Sequence, residues 1–236
     1  FTWDRKLILL ARIGKDFTKY LRQILKNLSG KIMPIDGKIH FYFDFLSPFG
    51  FFGSLRVNEL AEHHGIQCEW HPILLGISVL KVMGLPPIAE LPLKGAYIRK
   101  DAERYARRHQ LKLKRPFGSP QINPLLPARM VSWLKTQDHL ESQKLAKKLY
   151  SAHWFENLDI SNKDISFEIA ESLEVNIQKL NRALEDGEAA TLLRAEVDTS
   201  IEFGVFGSPT FRVDNELFFG VEKMEVLNEW LTLGGW

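Results

Sequence analysis

The run Ile39-His40-Phe41-Tyr42-Phe43-Asp44-Phe45-Leu46-Ser47-Pro48-Phe49-Gly50-Phe51-Phe52 decides the fold. From Ile39 to Phe45 it reads as an apolar strand. The strand breaks at Leu46-Ser47-Pro48, a helix start: serine satisfies an orphan backbone N–H at the N-cap, and proline is favoured next because its missing N–H is not needed there. Ser47 is expected to cap this helix, with its hydroxyl pointing at whatever the helix end binds. Far down the chain, Gly204-Val205-Phe206-Gly207-Ser208-Pro209-Thr210-Phe211 is a Gly-rich turn that leads through Ser208-Pro209 into the strand-like Thr210-Phe211-Arg212-Val213. Each loop also has a purely structural account, capping for Ser47 and turn geometry for the proline.

Around these two loops the coarse order is strand, helix, strand, a long helical region, strand, strand, helix. The first helix runs from Pro48 to about His64, where Gly65 is the expected stop. Residues from Gln67 to Ile73 read as the second strand. Between Lys94 and about Phe203 the spacing is mostly helical, with helices from Tyr97 to His109, Pro127 to Asp138, Gln143 to Phe155 and Ser166 to Ala170. Ser161-Asn162 opens one helix and Asn176 another, and the stretch from Thr199 to Phe203 leads into the second loop. Two strands, from Thr210 to Val213 and from Glu216 to Phe219, form a hairpin through Asp214-Asn215, residues that tolerate positive φ. A last helix runs from Glu222 to Leu231. A strand–helix–strand half and a strand–strand–helix half, split by helices, predict an α/β thioredoxin-like fold with a large all-helical insertion. The expected organisation is an extension and linker over 1–37, a thioredoxin-like domain over 38–93 and 204–236, and the insertion over 94–203.

The two loops together resemble those of the 2-hydroxychromene-2-carboxylate isomerase family, bacterial relatives of kappa-class glutathione transferase and of the DsbA oxidoreductases. The likeness runs from about Lys38 to Leu233. It is carried by Asp44-Phe45-Leu46-Ser47-Pro48-Phe49 and by Gly204 to Phe211, with Trp70-His71-Pro72-Ile73-Leu74-Leu75-Gly76 and Ala96-Tyr97-Ile98-Arg99-Lys100-Asp101 as further landmarks. A DsbA-type oxidoreductase needs a Cys-x-x-Cys pair at the start of this helix, because thiol exchange requires an attacking and a resolving sulfur. Here the stretch is Ser47-Pro48-Phe49-Gly50, and Cys68 is the only cysteine of the chain. Disulfide exchange by the protein itself is excluded, so the sulfur must come from a ligand.

The resemblance implies glutathione as cofactor, bound with its thiol near Ser47. A helix N-terminus and an O–H donor both favour thiolate over thiol, which makes Ser47 the catalytic polariser of a bound sulfur. Pro209 resembles the cis-proline of this fold, with the Ser208 backbone pairing strand-like with the cysteinyl part of glutathione. The resemblance places Phe49 in the same glutathione site. Val221-Glu222-Lys223 resembles the family's stretch that holds the γ-glutamyl end; the charge signs are kept, but Lys223 lacks a guanidinium fork. As an alternative, Glu222 and Lys223 form an ordinary pair in a helix's first turn. Lys81 resembles the family's substrate lysine and Asn123, in Gln121-Ile122-Asn123-Pro124, its asparagine; the plain alternatives are a solvated helix lysine and a turn residue. The reaction implied is addition of the glutathione thiolate to a conjugated aromatic pyruvate derivative, bond rotation and loss of sulfur. A kappa-like transferase or peroxidase, and a non-catalytic thioredoxin-fold binding module, are the competing readings.

Composition sets wider bounds. With 236 residues, 45% of them apolar, the chain can bury one sizeable core or a core plus a helical subdomain. No apolar run approaches the roughly 18 residues that span a bilayer. A single cysteine suits a reducing compartment, so a cytoplasmic location is expected. Residues 1–38 hold nine Lys or Arg against three Asp, a balance of +6 that leaves −4 on the remainder of a chain of net charge +2. There Leu10, Ile13, Phe17, Tyr20, Leu21, Ile24, Leu25 and Leu28 recur at helical spacing with Lys15, Lys19, Arg22 and Lys26 opposite, a basic amphipathic helix ended by Ser29-Gly30. That extension is the candidate for a peripheral membrane or subunit contact, a homodimer is expected, and interrupting charges argue against a secretory signal. His63-His64 with Cys68 makes a poor zinc site, so no metal is expected. Lys112, Lys114 and Arg115 form too small a basic cluster for nucleic acid; the small aromatic molecule expected as partner is what the family resemblance implies.

Overall fold

Parallel strands need a crossover and antiparallel ones can be joined by a tight turn; both connections occur here. The computed structural model describes residues 37–236, so the amphipathic helix expected before them lies outside the described residues. β1 (Lys38–Phe43) passes through α1 (Pro48–Ser54) and α2 (Val57–His63) to β2 (Gln67–Pro72), which is parallel to it. β3 (Thr210–Val213) runs antiparallel to β1, and β4 (Glu216–Phe219) completes a hairpin with β3, giving the order β2-β1-β3-β4. Between β2 and β3 come a π-helical segment, Gly76–Val82, and a 3-10 turn, Ile88–Glu90. The helices of the insertion follow: α3 (Lys94–Arg108), α4 (Leu125–Gln137), α5 (His139–Trp154), α6 (Lys163–Glu171), α7 (Ile177–Glu185) and α8 (Glu188–Glu202). A 3-10 turn, Val221–Lys223, precedes α9 (Met224–Leu233). The fold is thioredoxin-like with a large helical insertion.

Strand alternation separates two unlike sheet faces. Ile39, Phe41 and Phe43 of β1, Trp70 of β2 and Phe211 of β3 are fully buried. Phe41 stacks on Phe211 with ring centroids 5.4 Å apart and meets the edge of Trp70 at 4.8 Å. α1 lies on this aromatic face and α5 closes over it, with Tyr150 against Phe45 at 4.9 Å and Phe51 at 5.6 Å. The opposite face carries His40, Tyr42, Glu69, His71 and Arg212, covered by Lys135 of α4 and Glu196 of α8.

Element boundaries differ from the spacing in instructive ways. The single helix expected from Pro48 to His64 is two, because the Gly53-Ser54 pair breaks it: the Ser54 hydroxyl donates to Phe51 O at 2.6 Å, and Arg56 leaves the helical region at φ −123°. Gly65 follows α2 at φ +65°, as expected of a stop. Asp138, and not a residue near Gln143, caps α5 by accepting from Leu140 N and Glu141 N. Asn162 and Asn176 cap α6 and α7 as the sequence predicts. Of the described residues, those up to Leu227 form one unit; Asn228–Trp236, the end of α9 and the tail, belong to a second, where Trp230 meets Trp236 edge-on at 4.9 Å.

Candidate functional site

The antiparallel register of β1 and β3 pairs Tyr42 with Thr210, so the residues leaving β1 run beside Ser208-Pro209, which are joined by a cis peptide. A short hydrogen-bond circuit ties the two loops. Asp44 N donates to Ser208 Oγ at 2.9 Å, the Ser47 hydroxyl donates to Ser208 O at 2.7 Å, and Gly50 N donates to Ser47 Oγ at 3.0 Å. The Tyr150 hydroxyl donates to Asp44 O at 2.8 Å from the insertion. Ser47 thus caps α1, and its one proton is held by the partner loop. Gly50 is required by this closeness, since a Cβ there would lie 2.4 Å from Ser208 Oγ and 2.8 Å from the Tyr150 oxygen.

Beneath the circuit lies a carboxylate that was not singled out from the sequence. Asp44 is buried, and its two oxygens accept from Leu46 N at 2.8 Å and Leu75 N at 2.7 Å. Burial pushes its pKa up to about 6, against the pull of those two N–H groups. Burial likewise lifts the Tyr150 phenol well above its ordinary value, with the Asp44 charge adding to the effect. An acidic residue inside an otherwise apolar strand run was the available signal. Through Leu75, Asp44 joins the Ser47 loop to the start of the π-helical segment.

Other expected site residues divide into two groups. Phe49 is half-buried on α1, with its ring edge-on to Phe52 at 5.9 Å. Gly220 N donates to Pro209 O at 2.9 Å, which brings the turn of Val221, Glu222 and Lys223 against the second loop. In that turn Val221 is buried while Glu222 and Lys223 are exposed, and α1 packs against it. Ser47, Phe49, Ser208, Pro209 and this turn therefore share one region. Lys81 is exposed on the π-helical segment, and Asn123 is exposed before α4 with its Oδ1 accepting from Leu125 N at 3.0 Å. Neither takes part in the circuit around Ser47, and for Asn123 the observed role is the turn. Cys68 is buried in β2, its thiol pushed up to about 12 by burial, and so it supplies no reactive thiolate.

A thioredoxin sheet whose first helix is capped by serine, on a loop clasped to a cis-proline loop, defines a thioredoxin-fold protein without a redox cysteine pair. The chain belongs to the DSBA-like thioredoxin domain family, whose profile matches residues 38–232. It is similar to a 2-hydroxychromene-2-carboxylate isomerase of Pseudomonas putida, 22% identical over 192 residues that cover 80% of this chain and 91% of that one. It is also similar to glutathione S-transferase kappa 1 of Rattus norvegicus, 24% identical over 205 residues, 82% and 90% of the two chains. Among solved structures, a 2-hydroxychromene-2-carboxylate isomerase superposes with a TM-score of 0.71 at 22% identity, covering 83% of this chain and 94% of the other.

Proposed function

We propose that this protein is a glutathione-dependent isomerase acting on 2-hydroxychromene-2-carboxylate-like aromatic pyruvate derivatives. The observation that carries the reading is Ser47 itself: an O–H group occupies the capping position of α1 beside Ser208-Pro209, and the protein has no thiolate of its own to offer there. The name of the Pseudomonas putida relative supports the isomerase reading, and that of the rat relative supports glutathione as the source of the thiol.

Ser208 and Pro209 would hold the cysteinyl backbone of glutathione, Ser47 and Phe49 would flank its thiol, and Val221, Glu222 and Lys223 would hold its γ-glutamyl end. To donate to the sulfur, the Ser47 hydroxyl turns away from Ser208 O. That exchange gives up a neutral hydrogen bond of about 1 kcal/mol for a charge-assisted one roughly twice as strong. Gly50 N–H continues to donate to the same oxygen and makes the hydroxyl a better donor. Opening of the hemiketal ring frees the phenol and the α-keto group of the substrate and leaves its double bond conjugated with the ketone. Bound glutathione would supply a thiolate for reversible addition to that double bond, which would let it rotate and return the thiol with no net oxidation. Lys81 holds the substrate carboxylate, and the Asn123 amide nitrogen contributes from the insertion.

The test follows the ultraviolet spectrum of hydroxychromene carboxylate with enzyme. The reading expects isomerisation only with glutathione present. Turnover without glutathione, or none with it, contradicts the proposal; glutathione binding without isomerisation would favour a kappa-like transferase acting on another electrophile.

A further inference from the structure

On the sheet face away from Ser47, the parallel register of β1 and β2 pairs His40 with Glu69 and Tyr42 with His71. His40 Nδ1 lies 3.0 Å from His71 Nε2, and Glu69 Oε2 lies 3.8 Å from each of these nitrogens. We propose that His40, His71 and Glu69 form a binding site for one divalent transition-metal ion of the zinc class.

Geometry argues for it first. A triangle with sides of 3.0, 3.8 and 3.8 Å has a circumradius of about 2.1 Å, so one point in its plane is that far from all three atoms. Zinc–nitrogen and zinc–carboxylate distances are about 2.0–2.2 Å. Two imidazoles and one carboxylate form a ligand set that leaves a fourth position open for water.

Orientation argues for it second. His71 Nδ1 lies 2.7 Å from Glu196 Oε2, and Lys135 bonds the other oxygen of that carboxylate at 2.6 Å. A ligand histidine normally gives its second N–H to a carboxylate, which fixes the tautomer and turns the bare nitrogen to the metal. Lys135 Nζ also lies 2.9 Å from His71 Nδ1 and can only donate, so Glu196 and Lys135 compete for that nitrogen. In the tautomer that gives the Nδ1 proton to Glu196, His71 Nε2 presents its lone pair towards His40 and Glu69. Lys38 pairs with Glu69 through Oε1, so Oε2 faces the histidines. The cations Lys38 and Lys135 thus each contact the far side of a ligand. Side-chain exposure of 11% for His40, 13% for His71 and 25% for Glu69 leaves an approach at the carboxylate. An ion there would clamp β1 to β2 and, through Glu196, brace α8. These elements lead into the loops of Ser47 and Ser208.

The competing occupant is a proton shared along the 3.0 Å line between the two rings. To separate the two, the full chain is stripped with a chelator, dialysed and titrated with Co2+ by visible absorption and with Zn2+ by calorimetry. Expected is one equivalent bound, cobalt bands of a four- or five-coordinate nitrogen–oxygen site without thiolate charge transfer, and a melting temperature that rises with free metal. His40→Gln and Glu69→Gln, checked for folding by circular dichroism, are each expected to weaken binding at least tenfold. His63→Gln/His64→Gln is expected to leave it unchanged. No stoichiometric uptake by the wild type, or uptake that survives in both ligand variants, overturns the site.

Discussion

Ser47 and Asp44 are three residues apart and do different work. Ser47 closes the circuit between the loops. Asp44, beneath it, holds Leu46 and Leu75 in place with a carboxyl whose pKa is raised from 3.8 to about 6. Because the folded carboxyl keeps its proton to higher pH than the unfolded one, its contribution to stability is full below pH about 4 and is lost as pH rises past about 6, by about 3 kcal/mol at about 1.4 kcal/mol per pH unit. Asp44→Asn should therefore be less stable than wild type at pH 5, since an amide accepts from only one of the two N–H groups, and the gap should narrow by pH 8. Chemical denaturation at both pH values checks this, and parallel curves would contradict it. Asn123 allows a similarly clean division. Asn123→Asp keeps the oxygen that accepts from Leu125 N but loses the amide donor, so the melting temperature should hold while KM for the aromatic substrate rises. Lys81→Met should raise KM about tenfold or more and leave stability within about 0.5 kcal/mol, as for an exposed side chain away from packed features.

At the level of elements, the approach of α1 to the second loop is set by Gly50. Gly50→Ala would place a Cβ against Ser208 Oγ and the Tyr150 oxygen, forcing the loops apart at a cost of about 1–3 kcal/mol and lowering kcat. Unchanged melting and turnover in this variant would show that the clasp is not needed. The same element shows what sequence can and cannot supply. Ser47-Pro48 announces a helix start because the cap chemistry is local, and Asp214-Asn215 announces the hairpin for the same reason. The break at Gly53-Ser54 escaped because the apolar spacing continues across it to His63. The extent of α8 escaped because its apolar face is read against β2 and α4, contacts that no local window contains.

Across the whole molecule, the candidate site was legible where a motif is contiguous and illegible where the sheet register assembles it. Ser47, Ser208 and Pro209 could be named from two short loops. Asp44 gains its role only when β3 and Leu75 come to it, and Tyr150 only when the insertion folds back over Phe45 and Phe51. His40, Glu69 and His71 meet because β1 and β2 pair in parallel. Their spacing of 29 and 31 positions from His40 matches no short metal motif, whereas the neighbouring His63-His64 and Cys68 drew attention by proximity in sequence. Among the described residues no helix is long and apolar enough to cross a membrane.

In the proposed reaction Ser47 polarises a sulfur the protein borrows. The most direct test is a pH titration of the thiolate ultraviolet absorbance of glutathione bound to wild type and to Ser47→Ala. Expected is a bound thiol pKa well below that of free glutathione in the wild type, and a shift back towards the free value in the variant with turnover reduced about a hundredfold or more. A bound thiol that titrates like free glutathione, or identically in the two proteins, would contradict it.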